Sequence, residues 1–161
     1  MTEDITAKTE MLIRKPPAEV FQAFIDPAIT SRFWFTRGSG LLEVGKRVRW
    51  HWDMYNFFIT VDVKAIEHPR RITIEWAAEG KPPTTIDWTF DARPDGTTFV
   101  HSEERGFRGS RDEVVQAALN SMQGFTFVLA GLKAWLEHGV ELQLVRDRHP
   151  DGLPRPLQKS A

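Results

Sequence analysis

Residues 121–139 read SMQGFTFVLAGLKAWLEHG. From Ala118 onward the apolar residues Ala118, Met122, Phe125, Leu129, Leu132 and Leu136 recur in steps of three and four, the spacing of one helical face. Upstream, Ser110 and Glu113 have capping-box spacing, and Gly139 suits the left-handed position that closes a helix. The pattern predicts one long amphipathic helix over about 112–138. Gly124 and Gly131 sit inside it, and each costs about 1 kcal/mol relative to alanine. Either they leave space beneath the helix for a ligand, or they let it approach its neighbour closely. The sequence leaves both open.

The segments before the helix alternate with period two. In KRVRWHWDM, Val48, Trp50 and Trp52 oppose Arg47, Arg49 and His51. ITVDVKAI sets Ile59, Val61 and Val63 against polar neighbours. RITIEW sets Ile72, Ile74 and Trp76 likewise, and TIDWTF sets Ile86, Trp88 and Phe90. Each reads as a strand with one wet face, and HPRR, EGKPP and RPDG separate them at hairpin distances. GTTFVHSEERGF is a last strand whose two faces are less distinct. At the other end, ITAKTEMLIR reads as a first strand. PPAEVFQAFIDP is a helix with proline at its start and at its end. ITSRFWF is a short helix or turn, and RGSGLLEVG is loop. A sheet with one apolar face must cover it, and the long helix is the only element large enough. The expected fold is α+β. A curved antiparallel sheet of about six strands wraps a long C-terminal helix, a helix-grip, with two short helices after strand 1. One domain spans residues 1–161, with its core at about 8–146 and a polar, proline-rich tail at 147–161.

Composition bounds the chemistry. The chain has 161 residues, 41% hydrophobic and 27% charged, with a formal net charge of −1. Nothing here pulls it toward nucleic acid or an anionic membrane. It has no cysteine, which removes disulfides and thiolate chemistry. The polar start MTEDITAKTE shows no secretory signal, and no run is long enough to span a membrane. A cytoplasmic protein is expected. No HExxH, HxH or carboxylate cluster has metal spacing, so no metal or cofactor is expected. The GSG at Gly38–Gly40 lacks the context of a nucleotide fingerprint, and no serine lies in a nucleophile elbow.

The ordered set PPAEVFQAFIDP, FWF, RVRWHWDMY, RITIEW, SEERGF and QGFTFVLAGLKAWLEHGVELQLVRDRHPDG resembles the SRPBCC superfamily, which is START-like and birch-pollen-allergen-like. Within it the chain is most similar to the activator of heat-shock-protein-90 ATPase homologue-like branch. The resemblance covers about residues 8–150. It implies a helix-grip with an apolar cavity between sheet and helix, and a hydrophobic small molecule, a lipid or polyketide, as ligand. The co-chaperone that gives the branch its name carries a further N-terminal domain, for which 161 residues leave no space. A chaperone-associated, stress-response module therefore ranks behind small-molecule binding. A homodimer through the outer sheet face or an edge strand is compatible with either.

Candidate ligand-binding residues follow. Trp50, Trp52, Trp76 and Trp88 share the apolar sheet face. Such rings most often fill a core, yet each buried indole N–H needs a partner, which a ligand or water in a cavity would supply. Trp34, Met122, Phe125 and Leu129 complete the expected wall. On the last strand, if Val100 faces inward then so do Ser102 and Glu104; the opposite phase turns Phe99, His101 and Glu103 inward. A carboxylate in an apolar pocket can act as general acid or base. Glu104 is thus the candidate catalytic residue of an alternative reading, a cyclase, dehydratase or hydrolase. Its simpler role is a strand-end ion pair with Arg105, Arg108 or Arg111. His51 and Asp53 fall on the wet face of their strand.

Overall fold

A computed structural model describes residues 4–154. The order is β1 (Ala7–Ile13), α1 (Pro17–Ile25), α2 (Pro27–Thr30), β2 (Arg37–Gly38), β3 (Arg47–Trp52), a 3₁₀ turn (Asp53–Tyr55), β4 (Phe57–Glu67), β5 (Arg71–Ala77), β6 (Thr84–Ala92), β7 (Thr98–Arg105), α3 (Arg111–His138) and α4 (Leu144–Arg148). The strands form one antiparallel sheet in the order β1-β7-β6-β5-β4-β3-β2. This is the expected helix-grip, with seven strands instead of about six. The additional strand is β2, inside the stretch read as loop. It is two residues long, too short for any periodicity. The β3 edge creates it by offering backbone partners: Thr36 N bonds to His51 O and Ser39 N to Arg49 O.

The period-two readings hold along the meander. Trp50, Trp52, Ile59, Val61, Ile72, Ile74, Trp76, Ile86, Trp88 and Phe90 are all buried on the concave face. A register shift between Val63 and Ala65 on β4 interrupts the alternation there, and such irregularities increase local twist and bending.

Helix α3 lies across this face beside β1. Thr126 Oγ1 meets Thr9 Oγ1 at 3.1 Å, and Lys133 Nζ donates to the Leu12 carbonyl at 2.8 Å. Both expected caps form. Ser110 and Glu113 make the reciprocal capping box, and Gly139 ends the helix at φ 65°. The buried stripe of α3 is Ala118, Ser121, Phe125, Val128, Leu129, Gly131 and Leu132. That stripe is rotated from the expected one, and Met122 falls on its exposed side.

Gly131 is a close-approach glycine. A Cβ there would lie 3.1 Å from the Phe33 carbonyl oxygen and 3.3 Å from Phe33 Cβ. Of the two readings of this position, close packing is the one the geometry supports. Gly124 is half-buried.

The residues after α3 do more than the polar pattern indicates. Val145 of α4 is buried, and Leu153 packs on the core. Tyr55 explains the docking: its hydroxyl donates to the carbonyls of Val145 and Arg146. The tail beyond residue 154 lies outside the described residues.

Candidate functional site

The concave face of the sheet, α3 and the α2–β2 connection enclose an aromatic cluster. Its centre is Trp34, which belongs to neither the sheet nor α3. The Trp34 ring lies 5.0 Å from Trp50, 5.5 Å from Phe125, 5.8 Å from Trp88 and 5.9 Å from Trp76. Trp52 is 6.3 Å away, and Phe35 stacks on Trp50 at 4.8 Å. The expected wall residues Trp34, Trp50, Trp52, Trp76, Trp88, Phe125 and Leu129 thus come together, all buried. Met122 does not join them; it is 42% exposed. Its step in the heptad-like pattern is correct, but Ser121 takes the inward position one residue earlier.

The phase of β7 is decided by the sheet register. Val100, Ser102 and Glu104 pair with Phe90, Trp88 and Ile86 on β6, and those partners face inward. Glu104 is 2% exposed, whereas Glu103 and His101 belong to the outer face. There His101 Nε2 stands 3.0 Å from Asp91. His51 and Asp53 also lie outside, both around Arg37.

Glu104 makes none of the expected arginine pairs. Its Oε2 accepts from Trp76 Nε1 at 2.7 Å and from the Thr84 hydroxyl, and its Oε1 meets Ser121 Oγ at 2.5 Å. Arg105 turns outward instead and pairs with Asp87. A carboxylate offers about four lone-pair sites, and three are engaged by protein groups. Glu104 therefore ties β5, β6, β7 and α3 together through one buried side chain. The sequence pattern does not single out Ser121 and Thr84 as its partners, although both carry a signal. Thr84 continues the inward series of Ile86, Trp88 and Phe90, and Ser121 lies three residues after Ala118 and four before Phe125.

Three other polar atoms in this interior have no protein partner among the described residues: Trp52 Nε1, Trp88 Nε1 and Ser102 Oγ. Each belongs to a residue expected from sequence to contact a ligand.

Among the concavities that open at the surface of the described residues are three of about 650, 310 and 240 Å³. The largest of these three lies between the start of β1, the end of β7 and the start of α3, with Ile5, Phe107 and Val114 in its wall. Trp50, Trp52, Trp88 and Phe125 line none of these three. Among the described residues no group of three or more His, Asp or Glu could hold a metal ion, and no helix is long and apolar enough to cross a membrane.

A sequence model of the family described as "Activator of Hsp90 ATPase homolog 1-like protein" matches residues 14–137. The chain belongs to this family. The match runs from the end of β1 to the last turn of α3, and so includes the whole aromatic cluster and Glu104. Solved structures agree on the fold. Protein SSP2350 from Staphylococcus saprophyticus is 29% identical, with a TM-score of 0.74 over 86% of this chain and 96% of that one. The Aha1 dimer from Colwellia psychrerythraea is 17% identical, with a TM-score of 0.71 over 84% and 98%. DynU16, from the dynemicin biosynthetic locus, is 20% identical, with a TM-score of 0.74 over 86% of this chain but only 49% of that one. No curated protein matches the chain.

Proposed function

We propose that this family member binds an apolar small molecule between the concave sheet face and α3. The observation that carries the reading is the trio of buried polar atoms with no protein partner among the described residues, Trp52 Nε1, Trp88 Nε1 and Ser102 Oγ, inside a largely aromatic interior. A purely structural core is served as well by phenylalanine and alanine, which bring no polar atom to bury. Trp34 supports the reading from the other side. It is the central ring of the cluster, and it is carried by the α2–β2 connection instead of a sheet strand or α3. A ligand enters by taking the place of the Trp34 indole, leaving the sheet and α3 as fixed walls. The descriptions of DynU16, from a biosynthetic locus, and of the dimeric Colwellia protein are compatible with a small-molecule binder that pairs with a second copy.

The alternative, acid–base catalysis by Glu104, receives less support. Its oxygens face Trp76, Thr84 and Ser121, so its hydrogen bonds act on the scaffold.

Titration with 2-methylnaphthalene, followed by tryptophan emission, tests the reading. Saturable binding is expected. Trp34→Ala should lower stability by about 3–5 kcal/mol, as removal of a buried aromatic does. The same variant should bind the probe more tightly, and the probe should recover part of the lost melting temperature. If neither protein shows saturable binding, the reading falls.

A further inference from the structure

Trp88 and Ser102 are direct cross-strand partners on β6 and β7, and their side chains lie on the inward face, 0% and 2% exposed. The Cβ atoms of such a pair stand about 4.5–5.5 Å apart, and both side chains turn to the same face of the sheet. Neither Trp88 Nε1 nor Ser102 Oγ has a protein partner among the described residues. An indole N–H can only donate, and a serine hydroxyl can also donate. Trp52 Nε1 adds a third donor with no acceptor among the described residues. What these atoms lack is therefore an acceptor.

Charge narrows the chemistry further. Glu104 is the one Asp, Glu, Lys or Arg side chain among the buried residues described. A ligand carboxylate placed here would find no buried lysine or arginine to pair with, and an unpaired charge in such a site is strongly disfavoured. The position that the Trp34 indole occupies is flanked by flat rings, Trp50 at 5.0 Å and Phe125 at 5.5 Å.

Resting on the binding reading above, we propose that the ligand is flat and uncharged and carries a carbonyl-type acceptor oxygen, held by Trp88 Nε1 and Ser102 Oγ. An aromatic ketone or quinone fits; a fatty acid does not. Trp88 and Ser102 are then the specificity-determining pair, and Glu104 holds the neighbouring rung of the sheet rigid.

The test uses compounds sharing one ring frame: 2-methyl-1,4-naphthoquinone, 2-methylnaphthalene and 2-naphthoate, titrated at pH 7. The chain has no cysteine for the quinone to arylate. The quinone should bind about tenfold more tightly than the hydrocarbon, the worth of one or two net hydrogen bonds, and naphthoate should bind more weakly than either. The indole N–H resonance of Trp88, assigned by its loss in Trp88→Phe, should move downfield with the quinone and not with the hydrocarbon. Ser102→Ala should shrink the tenfold preference of quinone over hydrocarbon to about threefold or less. It also keeps the test valid if Trp88→Phe fails to fold. Equal binding of quinone and hydrocarbon overturns the inference and leaves the binding reading standing. Tightest binding by naphthoate overturns it as well. A Ser102→Ala protein that is destabilised, with probe preference intact, assigns the hydroxyl to a structural water and also overturns it. Absence of saturable binding by any probe defeats both readings.

Discussion

At the scale of single residues, Glu104 is defined by the groups around it. Its sequence context is a strand-end acid among arginines, and its place in the fold is a buried hub. Ser121 reaches it from α3, Trp76 from β5 and Thr84 from β6. Glu104→Ala removes the acceptor from all of them at once. It should cost about 2–5 kcal/mol in urea unfolding, since each buried donor left unsatisfied costs about 1–3 kcal/mol. Glu104→Gln should cost less, about 1–2 kcal/mol. Its amide oxygen, at the Oε2 position, still serves the Trp76 N–H and the Thr84 hydroxyl, and the Ser121 hydroxyl can turn to accept from its NH₂ group. Affinity for a neutral probe should survive Glu104→Gln. A steep loss of affinity with unchanged stability would mean that Glu104 touches the ligand.

At the scale of elements, α3 and the α2–β2 connection are one unit. The helix accepts a glycine at position 131 because Phe33 is already there: its carbonyl oxygen lies 3.1 Å from where a Cβ would be. Gly131→Leu has to push the Phe33 backbone away, and with it the neighbouring Trp34. Overpacking of this kind costs about 1–3 kcal/mol. The variant should therefore unfold at lower urea, and its tryptophan emission should shift as Trp34 is displaced from the cluster. Gly131→Ala sets a gain of about 1 kcal/mol in helix propensity against a contact that must yield by a few tenths of an ångström. The expected net change is small. A stabilised Gly131→Leu with unshifted emission would show that α3 does not rest on this connection.

At the scale of the whole molecule, the two faces of the sheet divide the work. The concave face carries the aromatic cluster, and the outer face carries ion pairs that hold strands in register. Asp87 is the most enclosed of these acids, 12% exposed at its side chain. Burial works to raise its pKa, but hydrogen bonds from Thr73, Arg105 and Arg71 outweigh that, and the carboxyl titrates below its ordinary value. A carboxylate with a depressed folded pKa contributes stability that is complete above its unfolded value, about 3.9. That contribution is lost as pH falls through the folded value. Acid unfolding should therefore steepen below about pH 4. Asp87→Asn should flatten that slope and lower stability at pH 7 by about 1–2 kcal/mol, the range of a partly exposed charged network. Equal acid profiles for the two proteins would remove Asp87 from the account.

The sequence by itself determined the architecture. Period-two alternation from Val48 to Phe90, a capped helix ending at Gly139 and proline-bounded short helices allow one arrangement, because a one-faced sheet must be covered. It also marked the tryptophans as inward, since alternation fixes the face once one member is buried. Three things were decided only by the tertiary structure. The phase of β7 came from its register with β6, because Val100-Ser102-Glu104 and Phe99-His101-Glu103 are equally mixed in polarity. The rotation of α3, with Ser121 inward and Met122 outward, came from the partner waiting at Glu104, which outweighs the greater hydrophobicity of methionine. The place of Trp34 came from a connection with no periodicity to read. Polar satisfaction and loop position depend on atoms distant in sequence, so the donors of Trp88 and Ser102 acquire meaning only when the sheet brings them together.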